Sequence, residues 1–244
     1  MPEKPTIYKQ TIKGMFHSIA TSYNRVNRLL SLGQDQRWRK RALGQAQIPP
    51  EGRLLDVATG TGDLALMAKQ QAPGLRVVGA DLTPAMLAQA QEKDATHLVS
   101  WMVADGLRLP YSDNTFDAVT SVFMMRNVPD VVQALCEQRR VVKVGGRVVC
   151  LEMTWPRRFP MTWLFSAYFF TLPPLVGGLI SGNREAYRYL PQSVRRFLTP
   201  QGMATAMESA GLRNVTWQSL MLGTVALHVG EKDVIGNQKP EMGD

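Results

Sequence analysis

Cysteine is scarce in this chain: Cys136 and Cys150 are the two thiols among 244 residues. Thiols so far apart in sequence give neither a disulfide framework nor the paired spacing of a structural zinc site. The three histidines are scattered along the chain in the same way, so we expect no metal. Both cysteines lie in apolar stretches, which indicates core thiols in a reducing compartment. The polar N-terminus has no signal-peptide pattern, and we therefore expect a cytoplasmic protein.

Charge is absent from one long segment, residues 159–183. Its length alone would allow a transmembrane helix. Pro173 and Pro174, followed by two glycines, stand in its middle and predict that a helix here is broken. We therefore expect residues 159–200 to form an apolar insertion that faces the substrate or a membrane surface, rather than a membrane span.

The remaining composition is that of an ordinary globular protein, with 45% hydrophobic and 20% charged residues. This excludes a disordered chain, a coiled coil and a polytopic membrane protein. The net charge of +8 suits an acidic partner, either nucleic acid or an anionic membrane face. Few aromatic residues are interleaved with the basic ones, so we expect no nucleic acid. A non-catalytic, basic nucleic-acid-binding protein is the alternative from another functional class.

The segment from Arg37 to Arg41 is strongly basic and contains Trp38. Its simplest interpretation is a solvated helix face. Tryptophan beside arginine and lysine is also typical of a membrane interface. The segment therefore belongs to the same hypothesis of peripheral membrane contact as the apolar insertion.

Hydrophobic periodicity divides the chain into a helical part and an alternating part. Apolar residues at three- and four-residue steps predict an N-terminal helical segment, residues 1–45, which covers the active site. From Arg53 onward, apolar runs alternate with helical patterns, which predicts a parallel sheet covered on both faces. Two final runs, NVTWQS and TVALHVG, are close enough to pair as a hairpin. We expect an α/β domain over residues 46–231, with a mostly parallel seven-stranded sheet, and a disordered tail over residues 232–244.

The first apolar run ends in a glycine-rich turn that contains Asp56, Gly60 and Gly62. Glycine lets a ligand approach the backbone closely. Asp81 ends the second run, where an acidic residue can bind both hydroxyls of a ribose. Asp105 ends the third run, the position that reaches the adenine amine in a methyltransferase sheet. An adenosine-type ligand is therefore expected at this edge of the sheet.

The same turn formally fits a dinucleotide fingerprint, Gly60-x-Gly62-x-x-Ala65. Asp63 argues against a dinucleotide, because a carboxylate at the helix N-terminus would repel a pyrophosphate. S-adenosylmethionine (SAM) carries no phosphate, and its sulfonium and ammonium groups are cations that Asp56 and Asp63 suit. We therefore expect SAM as the cofactor.

Several stretches resemble the ubiquinone/menaquinone biosynthesis C-methyltransferase family over residues 12–231. The resemblance rests on the glycine-rich turn and, more specifically, on Arg126-Asn127-Val128 and Tyr187-x-Tyr189-Leu190-Pro191-x-Ser193-Val194. It implies a Rossmann-like SAM-dependent methyltransferase fold and methylation of a ring carbon on a polyprenylated quinol. The implied acceptor is demethylmenaquinol, or alternatively 2-methoxy-6-polyprenyl-benzoquinol or another apolar molecule. Carried over to this sequence, it implies SAM contacts at Thr61, Asp81, Asp105 and Gly106.

Attack by a ring carbon requires the neighbouring phenolic oxygen, with a pKa of about 10, to lose its proton or nearly so. Arg126 and Asn127 follow the fourth run, and we expect Arg126 to stabilise the quinolate and Asn127 to orient it. Tyr23 would complete the hydrogen bonds. Glu152, at the end of the fifth run, is the candidate base, with His17 as a second candidate.

One residue departs from the family pattern: Asn24 stands where the family often has aspartate. We expect this exchange to leave one carboxylate fewer near the quinol. A polyprenyl tail resides in a bilayer, so peripheral contact with an anionic membrane on its inner face is our hypothesis for location. A homodimer is left open by the sequence.

Overall fold

The computed structural model describes residues 5–157 and 159–233. It begins with three helices, α1 (Pro5–Ile19), α2 (Tyr23–Leu30) and α3 (Gln34–Gln45). Gly33, with φ of +75°, makes the turn between α2 and α3, a conformation that glycine adopts without steric cost. The N-terminal helical segment is therefore three short helices.

The following part of the chain forms the sheet. Its elements are β1 (Arg53–Val57), α4 (Asp63–Gln71), β2 (Arg76–Asp81), α5 (Pro84–Lys93), β3 (Ser100–Val103), β4 (Phe116–Val122), a 3₁₀ turn (Met125–Asn127), α6 (Val131–Val141) and β5 (Val142–Met153). After the insertion come α9 (Pro200–Ser209), β6 (Arg213–Leu220) and β7 (Val225–Glu231).

These strands pair in the order β3-β2-β1-β4-β5-β7-β6. The first five are parallel, and β7 runs antiparallel between β5 and β6. Leu54, Val119 and Val149, in the central strands, are completely buried because apolar layers cover both faces of the sheet. The predicted seven-stranded, mostly parallel sheet with a C-terminal hairpin is confirmed.

The apolar insertion differs from the prediction. It contains α7 (Met161–Ser181) and α8 (Arg184–Arg196), and α7 continues through Pro173 and Pro174 without a break. The expectation of a broken helix was wrong, because packing compensates for the backbone hydrogen bonds that proline removes. A buried stripe on α7 packs against α8, so closely that a Cβ on Gly177 would lie 2.1 Å from the ring of Tyr187.

The other face of α7 stays exposed. By length and composition alone this helix could cross a membrane, and 28% of its most apolar window is buried within the protein. Its largest exposed side chains are Trp163, Leu164, Phe170, Leu175 and Leu179.

The chain is still held in place just past β7. Lys232 is buried, and its ammonium donates to the backbone carbonyls of Arg140 and Val142 at 3.0 and 2.9 Å. The predicted tail, 232–244, thus begins with an anchored residue, and positions 234–244 lie outside the described residues.

Candidate active site

The carboxyl ends of β1, β2 and β4 meet around a cavity of about 110 Å³, which we call the donor cavity. Four of the expected cofactor residues line it: Gly60, Asp81, Asp105 and Gly106. They come from separate loops, and the parallel order of the strands brings them to one edge of the sheet.

Asp81 is held rigidly at the end of β2. One carboxylate oxygen accepts from the backbone N–H of Thr83 at 2.8 Å, and the other accepts from that of Gly60 at 2.8 Å. Burial raises the pKa of Asp81, although these backbone donors oppose the shift. The carboxylate lines this cavity at the end of β2, the position that suits a ribose diol.

Asp105 is engaged by the N-terminal helix. The ammonium of Lys9 on α1 lies 2.5 Å from its carboxylate, and Ile12 and Phe16 of the same helix line the donor cavity. Ligand pockets usually enclose about 300–1,000 Å³. The donor cavity is smaller than this, and side chains of α1 form part of its wall.

Three expected cofactor residues, Asp56, Thr61 and Gly62, do not line the donor cavity. Asp56 lies beneath the turn and accepts hydrogen bonds from the hydroxyls of Thr59 and Thr120 at 2.6 and 2.8 Å. Burial raises its pKa to about 6. Asp56 therefore ties the glycine-rich turn to β4.

Gly62 serves packing. Its φ is +79°, and a Cβ at this position would lie 2.5 Å from the indole of Trp101. The hydroxyl of Thr61 donates to the side-chain oxygen of Asn24 at 2.6 Å. Asn24 consequently faces the glycine-rich turn, and the effect of its identity on the charge near the quinol stays a prediction.

Asp63 is engaged by neighbouring side chains. Its carboxylate accepts from the amide of Asn24 at 3.0 Å and pairs with Lys93 at 2.5 Å. Burial alone would raise the pKa of Asp63, but the charges of Arg39 and Lys93 outweigh burial and lower it. Asp63 lines neither the donor cavity nor the cavity described next, and its part in selecting a cationic ligand stays a prediction.

A second and larger cavity, of about 340 Å³, lies between α2, α7 and the loop before β7, and we call it the acceptor cavity. Its walls are mainly apolar, and they include Leu30, Leu164, Phe165, Phe169, Leu190, Met221 and Leu222. Arg126 and Asp35 bring charge to its lining. Tyr23 and Phe123 line both cavities, so the two adjoin at these side chains.

Arg126 forms a buried ion pair with Glu152. The guanidinium binds Oε1 of Glu152, which also accepts from the backbone N–H of Met153 at 2.8 Å. Oε2 of Glu152 accepts from the backbone N–H of Arg126 at 3.2 Å. Burial alone would lower the pKa of Arg126, but Glu152, with Tyr23 and Tyr189, raises it above its ordinary value. Because three donors occupy Glu152, the geometry favours it as an anchor for Arg126 over its predicted role as the base.

The guanidinium of Arg126 is incompletely satisfied. Its Nη1 also donates to the carbonyl of Phe123 at 3.1 Å, whereas its buried Nε has no partner among the residues described. A buried N–H without an acceptor is costly, and such groups are rare. Arg126 lines the acceptor cavity, where the oxygen of a ligand would give its guanidinium a further acceptor.

Asn127 is held by groups that the sequence only partly revealed. Its amide donates to the carbonyl of Phe123 at 2.9 Å, and its oxygen accepts from the hydroxyl of Tyr189 at 3.1 Å. Tyr8 continues this chain at 3.1 Å from Tyr189. Tyr189 belongs to the Tyr-Leu-Pro stretch and could have been singled out there, whereas no pattern marks Tyr8.

Two further expectations are decided by burial. His17 is exposed on α1 and lines neither the donor cavity nor the acceptor cavity. Within the basic segment Arg39 is buried, with its carbon Cζ 5.8 Å from the ring centre of Phe123, so a uniformly solvated face was wrong. Over residues 5–157 and 159–233, no group of three His, Cys, Asp or Glu could hold a metal ion.

The model of the ubiE/COQ5 methyltransferase family matches residues 4–232. The chain belongs to this family. It is 48% identical to a demethylmenaquinone methyltransferase of Thermus thermophilus, over 89% of this chain and 100% of the relative. It is 38% identical to a ubiquinone/menaquinone biosynthesis C-methyltransferase of Desulfotalea psychrophila, over 91% of this chain and 90% of that one.

Solved structures agree on the fold. A SAM-dependent methyltransferase from Thermotoga maritima superposes with a TM-score of 0.62 at 18% identity, over 90% of this chain and all of that one. The chain is therefore a SAM-dependent methyltransferase with a Rossmann-like fold, as the resemblance implied. The donor cavity, with Asp81 and Asp105 at its rim, is where the residues fit the cofactor.

Proposed function

We propose that this enzyme methylates a ring carbon of demethylmenaquinol in respiratory quinone biosynthesis. The observation that carries the proposal is the position of Arg126: it lines an apolar cavity next to the donor cavity, and its guanidinium has an unsatisfied N–H. The names of its relatives support the same reaction. The methoxy-polyprenyl-benzoquinol of ubiquinone biosynthesis is the alternative acceptor, which the relative from Desulfotalea psychrophila supports.

The chemistry assigns a task to each residue. SAM supplies an electrophilic methyl group when it is bound. Arg126 donates a hydrogen bond to the phenolic oxygen of the quinol and stabilises its negative charge in a cavity of low polarity, which lowers the pKa of the hydroxyl. The hydroxyl gives its proton to solvent, and the ring carbon attacks and gains the methyl group; the ring carbon then loses its own proton and the oxygen is protonated again, which restores the quinol. One C–C bond forms, one S–C bond breaks and one proton is released.

Neighbouring residues hold this arrangement in place. Glu152 keeps Arg126 charged and fixes its direction through two hydrogen-bonded oxygens. Asn127, locked between Tyr189 and the carbonyl of Phe123, lines the donor cavity beside Tyr23. These contacts support orientation of the acceptor ring at the junction of the cavities, under the helices of the N-terminal segment.

Mass spectrometry after incubation with methyl-labelled SAM and reduced demethylmenaquinol tests the reaction. We expect label on the ring carbon, and a loss of at least 100-fold in kcat for Arg126→Met. The benzoquinol acceptor in a parallel reaction separates the two pathways. Label on neither acceptor, with SAM binding intact in calorimetry, would overturn the proposed acceptor class.

We also propose that the enzyme works on the inner face of an anionic membrane, with the mouth of the acceptor cavity toward the lipid. Leu32 and Leu222, which line that cavity, are 80% and 79% exposed, and the exposed apolar face of α7 lies beside them. Arg37 and Arg41 line a neighbouring depression that shares Met221 with the acceptor cavity. Apolar side chains next to cations suit an anionic lipid interface.

Flotation with vesicles of phosphatidylglycerol or phosphatidylcholine tests the docking. We expect the protein to float with the anionic vesicles, and Trp163→Ser with Leu179→Ser to abolish this. Leu98→Ser removes an exposed leucine before β3 and serves as the control. A homodimer through the same face is the competing hypothesis. It would be favoured if light scattering showed a dimer that the α7 variants lose and if no variant, nor the parent, floated with vesicles.

A further inference from the structure

The strongest unexplained feature outside the assigned residues is the backbone of Phe123. Its φ is +58°, in the left-handed region that costs a bulky residue about 1 kcal/mol or more. Its backbone N–H still donates to the carbonyl of Leu151 at 2.8 Å, as the last rung between β4 and β5. The chain then reverses into the 3₁₀ turn that carries Arg126 and Asn127.

Glycine would adopt this conformation without strain, so the retained side chain points to a use for the ring. The ring lines both the donor and the acceptor cavity, a position that it shares with Tyr23 alone among the described lining residues. The carbons Cζ of Arg39 and Arg126 lie over it, 5.8 and 5.6 Å from its centre. Trp38 meets it edge-on at 6.4 Å between ring centres.

The backbone carbonyl of Phe123 has a second function. It accepts hydrogen bonds from Arg126 at 3.1 Å and from Asn127 at 2.9 Å. One residue therefore fixes two side chains that face the acceptor and the donor, respectively. Its ring stands at the boundary that the acceptor ring must reach for methyl transfer.

We propose that Phe123 is the positioning and specificity-determining residue of the acceptor: its ring stacks beside the aromatic head group and sets that ring's distance from the methyl donor. The proposal rests on the proposed function for the identity of the acceptor as a quinol. The role of Phe123 itself requires only that the acceptor contain an aromatic ring. Cation–π contact with two guanidinium groups holds the phenyl ring in place and so keeps the boundary rigid.

Three substitutions separate the ring from the backbone strain. Phe123→Leu keeps apolar bulk without an aromatic face, and Phe123→Tyr keeps the face. Phe123→Gly removes the side chain and the strain together. Gln47→Gly, at an exposed residue with φ of +46°, is the matched control for relief of strain away from the cavities.

We expect Phe123→Leu to reduce kcat/KM about 100-fold, mostly in kcat, as misplacement of the reacting ring by about 1 Å does. Calorimetry should show affinity for SAM within threefold of the parent, and Phe123→Tyr should retain activity. Phe123→Gly should be inactive and less stable in denaturant than Gln47→Gly, because it also loses the packing of the ring. Loss of SAM binding and stability together in Phe123→Leu would instead assign a structural role and overturn the proposal.

A binding measurement keeps the two proposals distinguishable. The probes are 1,4-naphthoquinol without a tail and geraniol, an aliphatic isoprenoid alcohol. We expect Phe123→Leu to weaken the naphthoquinol about fivefold, the worth of one aromatic contact, and to leave geraniol unchanged. The parent enzyme could methylate neither demethylmenaquinol nor the benzoquinol while Phe123→Leu still weakened binding of naphthoquinol alone. The acceptor assignment would then fail and the role of Phe123 would stand. Equal effects on both probes would overturn the role of Phe123, whatever the acceptor.

Discussion

The side chains of Arg126 and Glu152 pair across the ends of β4 and β5, with 6% and 1% of their surfaces exposed. A buried ion pair contributes little net stability, but removal of one partner leaves an uncompensated charge. The pair thus keeps a cation inside an apolar cavity, where its attraction for a phenolate is stronger than in water.

We predict that Glu152→Gln destabilises the fold by about 3–5 kcal/mol, because Arg126 then lacks its counter-charge. Chemical denaturation measures this change. The double variant with Arg126→Met should recover most of the loss, since no buried charge is left unpaired. In activity assays Glu152→Gln should retain the acidic limb of the pH–rate profile. Disappearance of that limb would instead identify Glu152 as the base.

The second prediction concerns Asp56, whose pKa burial raises from 3.8 to about 6. The folded state then binds a proton that the unfolded state has already lost, so stability should fall as pH rises from about 4 to 6. At about 1.4 kcal/mol per pKa unit, the ionised carboxylate costs about 3 kcal/mol above that range. Asp56→Asn should remove this dependence and should be at least as stable at pH 8. Denaturation curves at pH 4 and pH 8 give the free energy of unfolding of both proteins. If it changed with pH as much in Asp56→Asn as in the parent, the prediction would be contradicted.

The ion pair between Lys9 and Asp105 gives a third prediction. Lys9 occupies the carboxylate assigned to the adenine amine, so Lys9→Met should strengthen SAM binding. Both side chains are about one-third exposed, and such pairs contribute at most about 1 kcal/mol, so we expect up to about a fivefold lower Kd. Calorimetry measures it, with Lys40→Met as the control, because Lys40 is exposed on α3 and lines neither the donor nor the acceptor cavity. Weaker binding in Lys9→Met would show that Lys9 contacts the cofactor itself.

The packing of α7 on α8 gives a fourth prediction. Gly177→Ala places a methyl group inside the ring of Tyr187, and such overpacking costs about 1–3 kcal/mol. Gly44→Ala is the control, because its Cβ meets nothing within 4 Å on α3 and should stabilise the protein by about 1 kcal/mol. Urea denaturation of both variants measures the contrast. Equal stability of the two would show that α7 and α8 separate easily.

The sheet was predictable because its signal is local: apolar runs of strand length, such as Leu54 to Val57, end in turns that glycine marks. The continuity of α7 was not, since the propensities of Pro173 and Pro174 oppose it. The helix is continuous because α7 packs against α8, and no local sequence pattern reveals that contact. Tertiary packing overrides propensity in this case.

The candidate site was predictable to a different degree in each part. Asp81 and Asp105 could be assigned from their positions at strand ends. The roles of Asp63 and Asn24 could not, because they depend on partners such as Lys93 and Thr61 that come from other elements. Phe123 gave no sequence signal at all, since its importance lies in a backbone angle and in contacts from α3.

The two cavities meet at Tyr23 and Phe123 but are bounded by different elements, α1 on one side and α2 with α7 on the other. A water-soluble donor and a lipid-dissolved acceptor can therefore exchange independently. On a bilayer, spent donor could leave while the enzyme stays adsorbed and the next acceptor arrives by lateral diffusion. Turnover would then follow the surface density of quinol in the lipid, rather than its concentration in the whole volume.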